Sequence, residues 1–450
     1  MNRDKIKFTA FITIILLTMV CFNTQVMHLG TLPLTQKITV GESLDLGFKA
    51  TGRFLNALQV DINDSSTFTF TLTSTAPIVT TPGELNMTVK LFGIIPLRQV
   101  TIDVVPQTKV VPGGHSVGVM VHSRGVMVVG MSTVENAEGK QFNPAQNAGI
   151  KVGDVLLKIN GNAVKTESQV RSIINQASKS KKVLIFELER HGRTYTTEVN
   201  PVYNHNTKQY MVGLFIRDSA AGVGTLTFYD PKTKSYGALG HIITDIDTGK
   251  KVDMSNGRII GAYIQGIHPG QKGQPGEKVG IIETNNSMSG TINSNTPYGI
   301  FGQLSQPIKN PFFNDPIAIA LTNQIEEGPA EIFTVLEGNK IERFKIEIEK
   351  VARQSHPEGK GMIIKITDPK LLKTTGGIIQ GMSGSPIIQY KNDQPLLVGA
   401  VTHVFINDPT RGYGVLAEWM LQQTKTMSKI NKNNMTNDDV ISRQTTNNAA

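Results

Sequence analysis

The sequence predicts a mainly β, multidomain protein, and three observations carry that reading. At 450 residues the chain holds roughly three domains of about 150 residues each. Short runs rich in Val, Ile, Thr and Phe, alternating with period two and punctuated by Gly, Pro, Asn and Asp, recur from about residue 32 to residue 405. Helical periodicity is confined to Glu167–Ala177 and to about Val415–Gln423. A hydrophobic fraction of 39% against 18% charged residues supplies enough apolar side chain for packed cores and excludes a mostly disordered chain.

The elements follow in order. Residues 1–30 read as a signal anchor. Arg3, Lys5 and Lys7 precede an apolar run from Phe8 to Phe22 that only Thr9, Thr13 and Thr18 interrupt. The run is shorter than the ~20 residues of a relaxed span, but no small-x-small cleavage site follows it, and continuation towards Leu29 lengthens it. The basic end is expected to stay in the cytoplasm and the remainder to be exported across a membrane. Cys21, the single cysteine, sits in this run, so neither a disulfide nor a cysteine-rich zinc site is expected. Residues 31–106 form a β-rich segment with alternating stretches at Thr67–Leu72, Met87–Leu91 and Val100–Val105 and no ionisable cluster. Residues 424–450, rich in Asn, Thr and Lys, lack apolar periodicity and read as a disordered tail.

Between these lie two modules. In residues 107–203 the stretch Ala148-Gly149-Ile150-Lys151-Val152-Gly153-Asp154 to Asn160-Gly161-Asn162-Ala163-Val164, followed by a helical stretch and the strand Val183–Leu188, resembles a PDZ domain. That resemblance implies capture of peptide C-termini by strand addition beside a helix, with a Gly-containing loop receiving the carboxylate; here that loop is expected at Ser116, Val117, Gly118 and Val119. Residues 204–423 carry many short strands, as a barrel pair does, and two motifs: Gly237-Ala238-Leu239-Gly240-His241 and Gly381-Met382-Ser383-Gly384-Ser385-Pro386. A serine hydroxyl needs a base to take its proton and fixed donors for the oxyanion. Glycines around Ser383 allow the N–H groups of Gly381 and Ser383 to serve as donors, and His241, upstream of the serine, supplies the base in the order of chymotrypsin-like serine proteases. Asp245 and Asp247 are acids close to His241, although Asp247-Thr248-Gly249 also suits a turn. Ser385 is a second candidate nucleophile, and His268 and His403 are reserve bases.

The wider text, from "GVGTLTFYDPKTKSYGALGHIITDIDTG" through "TDPKLLKTTGGIIQGMSGSPIIQ" to "VGAVTHVFINDPTRGYGV", is similar to the stage IV sporulation protein B peptidases of endospore-forming bacteria. The resemblance extends over all but the tail and implies a chymotrypsin-like double β-barrel peptidase at 204–423. It implies Ser383 as nucleophile, His241 as general base and Asp368 as the acid that orients the imidazole. It further implies self-cleavage, and cleavage of a membrane-complex subunit that restrains an intramembrane protease and so the maturation of a late sigma factor, in the space between forespore and mother cell. A non-catalytic PDZ scaffold of the spore envelope is the alternative. No cofactor or metal is expected, since the nine histidines lack ligand spacing and HExxH is absent. Lys and Arg exceed Asp and Glu by 45 to 36, a net charge of +9; spread over this length it gives no support for nucleic acid, and Lys179, Lys181 and Lys182 read as a solvated turn.

Overall fold

The computed structural model describes residues 11–13, 34–44, 57–63, 68–71, 76–180, 182–283, 288–352 and 357–426. The expected anchor, Cys21 included, lies outside them apart from 11–13, and so does the tail beyond 426. Among the described residues no helix is long and apolar enough to cross a membrane. The chain divides into two compact units, Met1–Thr108 and Lys109–Ala450.

The first unit is a five-stranded sheet of β1 (Thr35–Thr39), β2 (Leu58–Asn63), β3 (Phe68–Thr71), β4 (Gly83–Leu91) and β5 (Ile95–Val105) in the order β1-β5-β4-β2-β3. Only the β1–β5 pair is parallel. Period-two alternation sends Val100, Ile102 and Val104 into a core with Leu58, Val60, Met87 and Val89.

The second unit opens with β6 (Lys109–Pro112) and β7 (Ser116–Met131), then β8 (Val134–Glu135), β9 (Gln141–Phe142), a short helix Pro144–Asn147, β10 (Val155–Ile159), β11 (Asn162–Ala163) and the helix Glu167–Ala177. After them come β12 (Leu184–Arg190), β13 (Arg193–Val199), β14 (Val202–Asn204), β15 (Gln209–Met211) and the long β16 (Leu214–Tyr229). Their pairings build an α+β module with the sheet order β13-β12-β10-β7-β16. Thr166 caps the helix by accepting from the Gln169 N–H, and Val170 and Ile174, one turn apart, bury its inner face. Asp154, in the turn before β10, is nearly fully buried; it accepts from Arg190 through both oxygens at 2.7 Å and from the Tyr195 hydroxyl.

Next are β17 (Ser235–Ala238), β18 (Met254–His268), β19 (Glu277–Ile282), β20 (Ser289–Thr296) and β21 (Gly299–Leu304). A first barrel closes through β7, β16, β17, β21, β20 and β18, the last pairing back onto β7. The remaining strands are β22 (Ile317–Ile319), β23 (Gly328–Val335), β24 (Ile341–Val351), β25 (Met362–Ile366), β26 (Pro386–Lys391), β27 (Gln394–Phe405) and β28 (Asp408–Leu416). The second barrel closes through β27, β26, β23, β24, β25 and β28. Strand β6 pairs with β16 on one side and β22 on the other.

Two boundaries differ from expectation. The α+β module is not a block ahead of the barrels: it is inserted between two neighbouring strands of the first one. The start of β7 (116–123) pairs in the barrel and its end (126–131) in the module, while β16 passes the opposite way. At the crossing the β7–β16 ladder shifts register between Arg217 and Ser219, and Ser123 donates to the carbonyls of Gly125 and Asp218. Such a bulge lets one strand bend from one sheet into another. The C-terminal helix occupies 417–426, so Thr424 belongs to it, buried and bonded to the Leu421 carbonyl, rather than to a disordered tail.

Candidate active site

The two motifs meet where the barrels face each other. The first ends β17 in a tight reversal. Leu239 adopts φ +68° and Gly240 +70°, and the Gly240 N–H reaches back to the Ala238 carbonyl at 2.9 Å, a γ-turn with positive φ. A leucine is strained in that region. The turn is also fixed by the Leu239 N–H donating to Thr225 O. A side chain at Gly240 would lie 3.0 Å from Thr402 Cγ2 and 3.1 Å from Val415 Cγ1, so glycine lets this turn dock on β27 and carry His241 there.

His241 Nδ1 lies 2.8 Å from the Ile242 carbonyl. A carbonyl oxygen only accepts, so Nδ1 carries the proton and Nε2 keeps its lone pair. Burial lowers the imidazole pKa below the ordinary 6.5, with the Ile242 hydrogen bond opposing, so the ring is a neutral base at pH 7. Its neighbour is His403 on β27, ring centroids 5.1 Å apart. Burial, the nearby His241 and Lys360 hold His403 down at about 4.

The second motif is a loop held by backbone and threonine bonds. Thr225 Oγ1 donates to Gly381 O at 2.7 Å, the Thr225 N–H to Ser383 O at 2.9 Å, and Thr227 Oγ1 to Gly384 O at 2.8 Å. Gly381 and Gly384 take φ of +89° and +94°, and a Cβ at Gly384 would fall 2.0 Å from Thr225 O. Every backbone N–H from Gly376 to Ser385 has an acceptor except two, Gly381 and Ser383. These are the donors that an oxyanion requires, and among the described residues nothing occupies them. Ser383 Oγ donates to Thr402 O at 2.8 Å. The hydroxyl thus reaches Thr402 and the imidazole lies against His403, the next residue of the same strand, with the hydroxyl turned towards the carbonyl.

Asp368 is not brought to this place. Its Oδ1 accepts from the N–H groups of Lys370 and Leu371 at 2.9 and 3.1 Å, and its Oδ2 from Lys345 at 3.3 Å; it is the N-cap of the helix Pro369–Thr375. The expected orienting role is therefore corrected to a capping role, because both oxygens are turned to backbone donors. Asp245 and Asp247 do not replace it. Burial pushes the Asp245 carboxyl up, but hydrogen bonds from Thr248 and Arg217 outweigh this and leave it low; Asp247 bonds Arg217 at 2.7 Å. Among the described residues, the Ile242 carbonyl holds the position in which a triad carboxylate would orient Nδ1. His268 pairs with Glu277 on the surface, and Ser385 Oγ is buried and reaches nothing among the described residues.

The expected peptide-binding loop is also corrected. Ser116, Val117, Gly118 and Val119 are buried in β7, paired with Thr225 to Gly222 of β16 on one side, and Val117 to Val119 with Gly261 to Ile259 of β18 on the other. With both edges occupied, no peptide can be added there. The open edge of the module is Leu214–Arg217 of β16, whose pairing partner lies only on the β7 side. A groove of about 560 Å³ lies along the helix Glu167–Ala177, lined by Glu167, Arg171, Asn175, Gln209 and Asp218, the residue that follows this edge. The N–H groups of Val212 and Gly213, the latter at φ +72°, have no acceptor among the described residues. The signal for this edge in the sequence is Val212-Gly213-Leu214-Phe215, at the end of the block rather than at its beginning. Thr225 and Thr227 carried no signal, since their role depends on contacts about 157 residues away.

Residues 208–421 match the family described as SpoIVB peptidase S55, and residues 138–188 match the PDZ domain family. None of the curated proteins matches the chain. Among solved structures, the chain is similar to the PDZ domain of the SdrC-like protein (Lmo2051) from Listeria monocytogenes, at 19% identity over 21% of this chain and 87% of that one, TM-score 0.16. It is similar to the active form of the Rv3671c protease from M. tuberculosis at 16% identity over 45% of this chain and 73% of that one, TM-score 0.28, and to its inactive form at 15%, 45% and 83%, TM-score 0.27.

Proposed function

We propose that this chain, whose residues 208–421 match the SpoIVB peptidase S55 family and residues 138–188 the PDZ domain family, is a PDZ-containing serine endopeptidase of the SpoIVB type, a signalling protease in which Ser383 attacks the scissile carbonyl. One observation carries the reading: among the described residues, the two N–H groups of the nucleophile loop left without acceptors are those of Gly381 and Ser383, a residue pair spaced to receive one oxyanion. Rotation about the Ser383 Cα–Cβ bond releases Oγ from Thr402 O and turns it towards His241 Nε2. The imidazole takes the hydroxyl proton as the tetrahedral intermediate forms and returns it to the leaving amine. Water then repeats the sequence on the acyl-enzyme.

The substrates under this proposal are the chain itself and a regulatory subunit of a membrane complex that restrains an intramembrane protease, so that cleavage triggers maturation of a late sporulation sigma factor. The enzyme works membrane-anchored, exported across the inner forespore membrane into the space between forespore and mother cell. The basic-then-apolar N-terminus and the resemblance of the whole chain support that placement. Peptide C-termini, its own or a substrate's, dock along Leu214–Arg217. The test is Ser383→Ala and His241→Ala, each with a fluorophosphonate probe and with the complex co-expressed. Loss of labelling, self-processing and subunit cleavage is expected in both; continued cleavage by the serine variant would overturn the mechanism.

A further inference from the structure

Behind the nucleophile loop lies a lysine that the mechanism leaves unused. Lys278, on β19, is only 5% exposed. Its N–H donates to the Gln380 carbonyl at 3.0 Å, while the Gln380 N–H donates to Gly276 O. Its stem lies along Gly381: a Cβ there would be 3.0 Å from Lys278 Cδ and 3.1 Å from its Cβ and Cγ. Among the described residues its Nζ reaches a single partner, the fully buried Thr334 Oγ1 of β23, at 2.7 Å. A buried amine without a counter-ion is costly when charged. Such a group is not the economical way to fill an apolar gap.

We propose that Lys278 is a positioning residue of the oxyanion loop: its stem seats the Gln380–Gly381 peptide, and its uncharged amine, moored to Thr334, keeps the stem in place. The proposal rests on the reading of the Gly381 N–H as an oxyanion donor. Protonation makes the buried site untenable for the amine, which draws the stem away from Gly381 and slackens the donor. Burial alone pushes Lys278 from 10.5 down to about 7. The charged groups around it are engaged elsewhere: Glu277 beside it pairs with His268, and Glu342, opposite Thr334 on β24, is held by Lys370. The neutral form is therefore the one that prevails above about 7, and activity falls as pH drops through that value, above the range in which His241 takes up its proton.

The experiment is the pH profile of phosphonylation of the full chain by a fluorophosphonate, fluoride being the leaving group, wild type against Lys278→Met and Thr334→Val, reading the position of the acid limb rather than the height of the plateau. The wild-type limb is expected at about 7. In Lys278→Met it moves below 6.5, where only His241 remains to titrate. In Thr334→Val, which deprives the ammonium of its only acceptor, it also moves down, and this variant carries the test if the methionine protein does not fold. A limb at the same pH in the wild type and both variants would overturn the inference while leaving the peptidase reading intact. A wild type that is never phosphonylated overturns both.

Discussion

Thr225 is the residue through which the two halves of the catalytic apparatus are tied, and Thr225→Val tests that directly. Its hydroxyl donates to Gly381 O, its N–H to Ser383 O, and its carbonyl accepts from Leu239, two residues before His241. Valine keeps the shape and both backbone bonds and deletes only the hydroxyl. The Gly381 carbonyl then loses a 2.7 Å bond in a fully buried setting, a defect of about 1–3 kcal/mol. Because that peptide is anchored to place the Gly381 N–H, much of the defect is expected to surface in the transition state. At about 1.4 kcal/mol per decade this is a loss of roughly 10- to 100-fold in kcat. It stays under the 100- to 1,000-fold typical of deleting an oxyanion donor outright. KM is expected to move little, since the lost bond touches no substrate atom. Thr227→Val is the matched comparison: its hydroxyl holds Gly384 O, and the Gly384 N–H is spent on Val401, so kcat should fall less. Steady-state kinetics on a peptide substrate decide it, and an unchanged kcat in Thr225→Val, or an equal loss in Thr227→Val, refutes the loop-anchoring argument.

Three further outcomes are expected. Asp368→Asn should cost no more than about 1 kcal/mol of stability as a weakened helix cap and leave kcat nearly unchanged; a loss of about 10⁴-fold, as when a triad acid is neutralised, would return Asp368 to the orienting role. His403→Ala uncovers the His241 ring, so the burial that depresses its pKa weakens; a group that must be neutral to act then titrates at higher pH, and in the Lys278→Met background the acid limb of kcat/KM should rise towards 6.5. A C-terminal peptide bound by the module should slow amide exchange at Val212, Gly213 and along Leu214–Arg217 without altering Ser116–Val119, and protection confined to the latter would restore the earlier site.

The fold was legible where local physics decides it. Alternating apolar residues in β5 and β24, the Thr166 cap with Val170 and Ile174 one turn apart, and the Gly-Asp turn at 153–154 all announce their structures within a few residues. The insertion of the α+β module was not legible, because β7 and β16 run through the junction as continuous strands and leave no linker. Nothing in Ser116–Met131 marks the residue at which one sheet hands the strand to the next, apart from Gly125, whose absent Cβ clears the Leu156 carbonyl. Hence Ser116–Val119, a buried barrel strand, carries the same local text as a ligand loop.

The candidate site divides in the same way. Ser383 and the glycines about it are legible because a tight turn with free N–H groups demands small residues and positive φ, which are written in the sequence itself. Asp368 shows the opposite case. The same Asp-Pro pair that a family resemblance reads as a triad acid is also the signature of a helix start, an acceptor at the N-cap followed by proline at the first helical position. The carboxylate has a choice of partners, and the three backbone donors beside it are satisfied without moving any element of the fold. His241 makes its own choice with the carbonyl next in sequence, a bond no motif encodes. What orients the base is therefore a question about two side-chain torsions, and residue spacing carries no information on either.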